Sequence, residues 1–391
     1  VPGTTEINTL SLHDALPIYD GLRQTDPEAT WVLQGWPFFY GRQFWTQPRI
    51  EAVLGAVPDD RMLLLDLYCE QTPVWSLTRA FAGKPWLWCN IQNFGGRVWL
   101  GGALDRINRD FWAAHHDPHA GRLSGLGFVN EGLDNNPVVF DLLFEMAWRD
   151  GPVTLESWLD DFSARAYGQR HPDALKAWRL LHETTFQAAF DNRAAYTLAP
   201  SLDAPPEPPY RTDRLAEGWR LLLGAADDLG DADPFRFDLV NVARQVLGNY
   251  SAELHRQIRD AFNRRDRESL REASHRMLTL IRDLDDLLAT RQEFLLGNWL
   301  EDARRWGETD PERDRLEWNA RRVLTLWGNG TVLRDYACRQ WSGLLNGFYL
   351  KRWELFFAHL DQALADGQPF DEANFGAEMF AFETQWADRH E

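Results

Sequence analysis

One change of rhythm constrains this chain more than any other feature. From residue 31 to residue 148 short apolar runs alternate with amphipathic ones, and from about residue 153 onward only helical spacing remains. WVLQGW, RMLLLDLY, PWLWCNIQN and LSGLGFVN read as strands buried on both faces. PRIEAVLGAV, TPVWSLTRAFAG, GGALDRINRDFWAAHH and PVVFDLLFEMAWR, which follow or separate them, read as helices. The last has a clear start signal, with Asn136 as N-cap and Pro137 in the first turn. Parallel strands need such crossovers. Four strand–helix units make half of an eight-unit barrel, or most of a small doubly wound sheet. The second stretch predicts an all-α domain. The expected organisation is therefore a leader over residues 1–18, a partial (β/α) barrel over 19–152 and a helical domain over 153–391. The leader, with SLHDALPI, fits neither domain and reads as foreign sequence. The proline cluster APPEPPY, 204–210, reads as a loop inside the helical domain.

Composition narrows the function classes. The formal net charge is −18 and lysine occurs only at 84, 176 and 351, so a polyanion would be repelled. That argues against nucleic acid and anionic membrane as partners. No run of 18 apolar residues suggests a membrane span. Cys69, Cys89 and Cys338 are odd in number and far apart, which implies neither a disulfide framework nor a structural zinc site. HHDPH, 115–119, has zinc-like spacing but falls at a helix end in polar sequence. FGGRVWLGG, 94–102, lacks the GKS or GKT of a phosphate loop and reads as a tight turn.

Ligands of parallel α/β folds bind at the carboxyl ends of the strands. Reading off those ends gives Gln34 and Trp36, then Asp66, Tyr68 and Glu70, then Trp88, Asn90, Gln92 and Asn93, and finally Asn130 and Glu131. Acids and amides bond hydroxyls, and indole faces cover the apolar side of a sugar ring. Glycoside hydrolysis needs two carboxyl groups. Asp66, Glu70 and Glu131 are the acids to weigh, each with a structural alternative: Asp66 holding a backbone N–H or an arginine, Glu70 as a solvated loop acid, Glu131 as a loop ion-pair partner.

WVLQGWPF, LLLDLYCEQTPVW, KPWLWCNIQNFGG and GFVNEGLDNNPVVFDLLFEMAWR follow one another as in the α-N-acetylglucosaminidases. FLLGNWLEDAR, ARRVLTLWG, LRDYACRQWSGLL and FYLKRW extend the resemblance through the helical part, so that it runs from about residue 19 onward. The resemblance implies the C-terminal half of a TIM-type (β/α)8 barrel followed by a helical domain. It also implies removal of terminal α-linked N-acetylglucosamine with retention of configuration, without metal or cofactor. The family's nucleophile lies in a motif similar to NEG, which assigns that role to Glu131. Its acid/base glutamate lies in an FNEM-type motif upstream of the WxLQGW segment, and no such motif stands before Trp31. Gln92 replaces the histidine common before NFGG. Trp36, Asp66, Glu70, Trp88, Asn93 and Asn130 are the implied substrate-binding positions, with Trp327 or Tyr336 as a wall from the helical domain.

The leading expectation is a partial retaining exo-α-N-acetylglucosaminidase, inactive alone, whose partner is a glycan ending in N-acetylglucosamine. The alternative is a glycan-binding module that holds the sugar without turnover, and a third reading is a helical interaction scaffold. Free sheet edges would favour self-association into a homo-oligomer. The compartment stays open, a secreted or lysosome-like one being compatible with the family.

Overall fold

The computed structural model describes residues 12–97, 99–132, 136–187 and 193–389. The leader expected over 1–18 lies outside these residues up to position 11, and Leu12–Thr25 form a helix whose Tyr19 is buried. Four strands follow: β1 (Trp31–Gln34), β2 (Met62–Asp66), β3 (Pro85–Asn90) and β4 (Arg122–Phe128). They lie in the order β1-β2-β3-β4, every pair parallel. Trp31 pairs with Met62, Leu64 with Trp86 and Trp88 with Leu126, across a register shift near Trp86. The alternation predicts parallel strands joined by crossovers, and their consecutive order is the pattern of the barrel segment that the family resemblance implies.

Two expectations need correction. The strands are not buried on both faces. Met62, Leu64, Trp86 and Trp88 are buried together with Ile50 and Val53 of helix Gln47–Gly55, Ile107 and Phe111 of helix Leu104–His116, and Leu142 of helix Pro137–Met146. On the other face Leu63, Leu65 and Leu87 are only half-buried and Val32 is 51% exposed. The residues alternate because side chains point to opposite faces, and only one face has a helical layer. The second correction concerns TPVWSLTRAFAG. It forms a short 3-10 turn at Trp75–Thr78, and Arg79 to Ala82 then run at φ near +50°. Asp66 Oδ2 takes the N–H groups of Val74 and Trp75 at 2.8 Å each, which bends the chain where a regular helix would start.

Beyond residue 150 the described structure is helical, and its strand-type pairing there is one bridge between Leu295 and Ser342. Asp233–Asn263 and Arg267–Leu288 are the long central helices. Thr309 and Glu312 form a capping box that starts helix Asp310–Leu324. Apolar packing divides into two clusters. The first joins the strands to Leu155, Trp158, Phe162, Trp178, Leu215 and Phe235. The second surrounds Met277, Leu284, Phe348, Trp353 and Trp386. No described helix is long and apolar enough to cross a membrane.

The half-covered face and the edges of β1 and β4, unpaired among the described residues, generate a prediction. Exposed strand edges and apolar faces drive association. Sedimentation velocity at micromolar concentration should find dimers or larger species, and Val32→Lys, which charges both the edge and the open face, should shift the population toward monomer. A monomeric parent chain would contradict this.

Candidate active site at the carboxyl end of the sheet

Glu131 follows the end of β4 and its side chain is exposed. Its Oε2 accepts from the backbone N–H of Gly95 at 2.6 Å and from the Tyr336 hydroxyl at 2.8 Å. Both bonds fall on Oε2, and Oε1 takes part in neither. Asn93 lies beside it: its side-chain amide donates to the carbonyl of Gly132 at 3.1 Å. The amide thus anchors the loop behind Glu131, while the carboxylate takes its own bonds from Gly95 and Tyr336.

Glycine makes the approach feasible. A Cβ on Gly132 would lie 2.6 Å from the Cα of Gly96 and 2.8 Å from the guanidinium of Arg339. Gly95, at φ +61°, would drive a Cβ into Tyr336 at 2.7 Å. FGG is therefore a point where three chain segments meet. Arg97 completes the junction by donating to the Tyr336 carbonyl at 2.7 Å. Its guanidinium also stands 5.7 Å from the Phe94 ring centre and 5.3 Å from that of Tyr336.

An arc of aromatics borders the junction. Trp36 meets Tyr68 edge-on at 6.2 Å, Tyr68 meets Phe94 at 5.4 Å, and Tyr336 meets Trp327 at 4.9 Å. The two residues expected from the helical domain are thus part of this rim. Trp88 stands apart. It is 1% exposed and packs on Phe111, on the helix-covered face of β3. Its even position in the strand sends it away from the open face, which the family motif could not reveal.

The two other acids are buried and tied to backbone. Asp66 holds the turn described above, and burial pushes its pKa up to about 6 despite the N–H groups of Trp75 and Val74. Glu70 Oε1 accepts from the N–H groups of Ile91 and Gln92 at 3.1 and 3.3 Å, so this acid fastens the loop that leads to Asn93 and Gly95. Burial raises its pKa to about 8. Glu70 Oε2, Asn90 Oδ1 and Gln92 Oε1 are buried acceptors without a hydrogen bond, and Glu70, Asn90 and Gln92 line one small cavity. A proton on Glu70 would give its carboxyl a donor to offer within this cavity. Glu70 is thus not the solvated loop acid that its position in the sequence suggests.

Gln92 sits at φ +54° and donates to the Gly101 carbonyl at 2.7 Å. Asn130 has a buried Oδ1 without a partner among the described residues. Asn136 starts its helix as expected, but its amide holds the carbonyls of Trp99 and Gly101 instead of capping the first turn. His116 of HHDPH bonds the Trp112 carbonyl. Among the described residues no cluster of three or more His, Cys, Asp or Glu is arranged to hold a metal. Gly95, Arg97 and Arg339 lie in stretches singled out in the sequence but were not read there as site residues; the paired glycines before an arginine were the available signal.

Glu70 yields a pH prediction. Its folded pKa lies above its unfolded value, so the folded chain binds more protons between about pH 4.5 and about 8. Its contribution to stability is complete below that window and is lost as pH rises through it. The melting temperature should fall between pH 5 and pH 8, and Glu70→Gln should flatten that fall. An unchanged slope in the variant would show that Glu70 is not held neutral.

Comparison with known proteins gives the family. A family model described as the α-N-acetylglucosaminidase (NAGLU) TIM-barrel domain matches residues 5–150, and one described as its C-terminal domain matches residues 158–391. Human α-N-acetylglucosaminidase is 39% identical over 373 residues, covering 94% of this chain and 50% of the human protein. A family 89 glycoside hydrolase from Clostridium perfringens, solved in complex with PUGNAc, superposes with a TM-score of 0.86 at 27% identity, over 98% of this chain and 44% of that one. The Clostridium enzyme in complex with its substrate GlcNAc-α-1,4-galactose, in a doubly substituted form, gives a TM-score of 0.86 at 26% identity, over 97% and 43% of the two chains. The chain thus spans about half the length of the relatives it matches. With both family domains matched in order along its length, this chain belongs to the α-N-acetylglucosaminidase family of glycoside hydrolases.

Proposed function

We propose that this chain carries the nucleophile half of a retaining exo-α-N-acetylglucosaminidase, with Glu131 as the nucleophile. The observation that carries the reading is the Glu131 carboxylate itself. It is exposed at a strand end and held through one oxygen by two donors. Charge-assisted bonds of this kind fix a carboxylate without burying it. The aromatic arc supports a sugar as ligand. The Clostridium relative, seen with GlcNAc-α-1,4-galactose, supports a terminal α-linked N-acetylglucosamine as the group bound.

The chemistry follows from the other oxygen. Glu131 Oε1 bonds to the anomeric carbon while the bond to the leaving oxygen breaks. The leaving oxygen keeps the electron pair and needs a proton. Water later attacks the same carbon, loses its proton to a base and releases Glu131. A retaining enzyme places the acid/base carboxyl roughly 5 Å from the nucleophile. Asp66 and Glu70 commit oxygens to backbone N–H groups, and the family resemblance places the acid upstream of Trp31. In this reading the chain alone binds and attacks but does not protonate, and loss of acid help costs about 100- to 10,000-fold.

An activated aryl leaving group removes the need for that proton. Incubation with a fluorinated activated aryl α-N-acetylglucosaminide should add one glycosyl mass to the chain, and Glu131→Gln should abolish the adduct. A natural disaccharide should stay intact. Equal labelling of both proteins would show that Glu131 is not the nucleophile, whereas saturable N-acetylglucosamine binding without any adduct would make the chain a glycan-binding module.

A further inference from the structure

Tyr336 reaches Glu131 from a loop whose conformation is costly. Trp327, Asp335 and Cys338 lie at φ +56°, +59° and +42°, a left-handed region that side chains with a Cβ avoid. Strain of this kind persists only where surrounding contacts impose it. The contacts here are ionic and buried. Arg352 grips Asp335 with both terminal nitrogens, at 2.6 and 2.9 Å, and is fully buried. Behind Arg352, at 3.6 Å, stands Glu383 of the helix Glu372–Ala387, also fully buried. Arg334 approaches the other oxygen of Glu383 at 3.1 Å. Two arginines and two carboxylates therefore meet without net charge directly behind Tyr336.

We propose that Asp335, Arg352 and Glu383 are positioning residues for Glu131, acting through the Tyr336 hydroxyl. The inference rests on the nucleophile reading above. Arg352 and Glu383 belong to two separate helices, Leu350–Asp366 and Glu372–Ala387, and the bidentate pair fixes both the place and the rotation of Asp335. Tyr336 is the next residue. Its carbonyl is held by Arg97 from the sheet side, so the peptide is clamped from both domains and the ring has one direction in which to point. The Asp335 N–H donates to the Thr325 carbonyl at 2.9 Å and closes the loop. The far end of the helical domain thus sets the angle at which a hydroxyl meets a carboxylate on the barrel rim. Removing one member leaves a buried charge uncompensated, and the loop relaxes toward unstrained backbone.

A double-mutant cycle tests this on the full 391-residue chain. Tyr336→Phe, Glu383→Gln, the double variant and the control Glu378→Gln are compared. Glu378 lies on the same helix and pairs with His359 on its exposed side. The first readout is the rate of Glu131 labelling by the activated aryl glycoside. The second is amide exchange over residues 331–337, read by mass spectrometry. Tyr336→Phe and Glu383→Gln should each slow labelling about tenfold, and the double variant should be no slower than Tyr336→Phe, because both changes remove one interaction. Exchange over 331–337 should rise about tenfold in Glu383→Gln, with helix Asp233–Asn263 unchanged and Glu378→Gln like the parent. Additive slowing, or exchange that rises equally everywhere, would overturn the proposal. If Glu383→Gln does not fold, Arg334→Gln, whose side chain is partly exposed, takes its place. If the parent itself is not labelled, the nucleophile reading falls, and exchange over 331–337 alone decides whether Glu383 holds the loop.

Discussion

The rim depends on how closely two backbones approach. Gly96 and Gly132 leave no room for a Cβ between them, and Arg339 fills the side of the gap with its guanidinium. Only at that separation does the Gly95 N–H reach Glu131 and the Asn93 amide reach the Gly132 carbonyl. Any side chain at either position would push β3 and β4 loops apart and turn the carboxylate away from Tyr336. The constraint is steric first and electrostatic second. Neutral backbone contact sets the geometry, and the hydrogen bonds then select one carboxylate orientation.

Arginine does most of the ionic work in this acidic protein, which has only three lysines among 41 basic residues. The reason is visible in the contacts. Arg97 donates to a carbonyl and stacks on rings at the same time. Arg352 grips Asp335 with two nitrogens while its plane lies 5.0 Å from Phe348. Arg321 pairs with Glu317 and lies 4.9 Å from Trp386. A planar, weakly hydrated cation tolerates such mixed surroundings, and a compact ammonium does not. Tryptophan plays the complementary part: Trp86, Trp353 and Trp386 are fully buried and serve the core.

The strands and long helices were legible because period and length are local properties. The parallel order followed from the crossovers, and the place of Glu131 just beyond a strand end from the same alternation. What escaped notice was relational. Trp88 belongs to the rim by sequence position and to the core by strand parity, and parity depends on a register that no local pattern states. The segment 72–83 has helical spacing, yet Asp66 at the end of the preceding strand captures the N–H groups of Val74 and Trp75. Glu70 looked solvated because its neighbours are polar, while the fold encloses it. Tyr336 could be suspected as a wall, but its bond to Glu131 required the two domains to meet.

The change of rhythm near residue 152 does not coincide with a change of core. Asn108 pairs with both the N–H and the carbonyl of Val153, each at 2.8 Å, so the junction itself is nailed to a barrel helix. Trp158, Phe162 and Trp178 continue the apolar cluster of the strands, and the Trp178–Tyr167–Asp238 hydrogen bonds tie the helix Asp233–Asn263 to it. The first half of the helical part is therefore the outer wall of the sheet in all but name. A shuffled or recombined gene that joined a new helical module at this point would inherit a sheet with its wall removed. Exchange of parts within this family is more compatible with the long helix Asp233–Asn263, where the two cores meet, than with the end of the alternation.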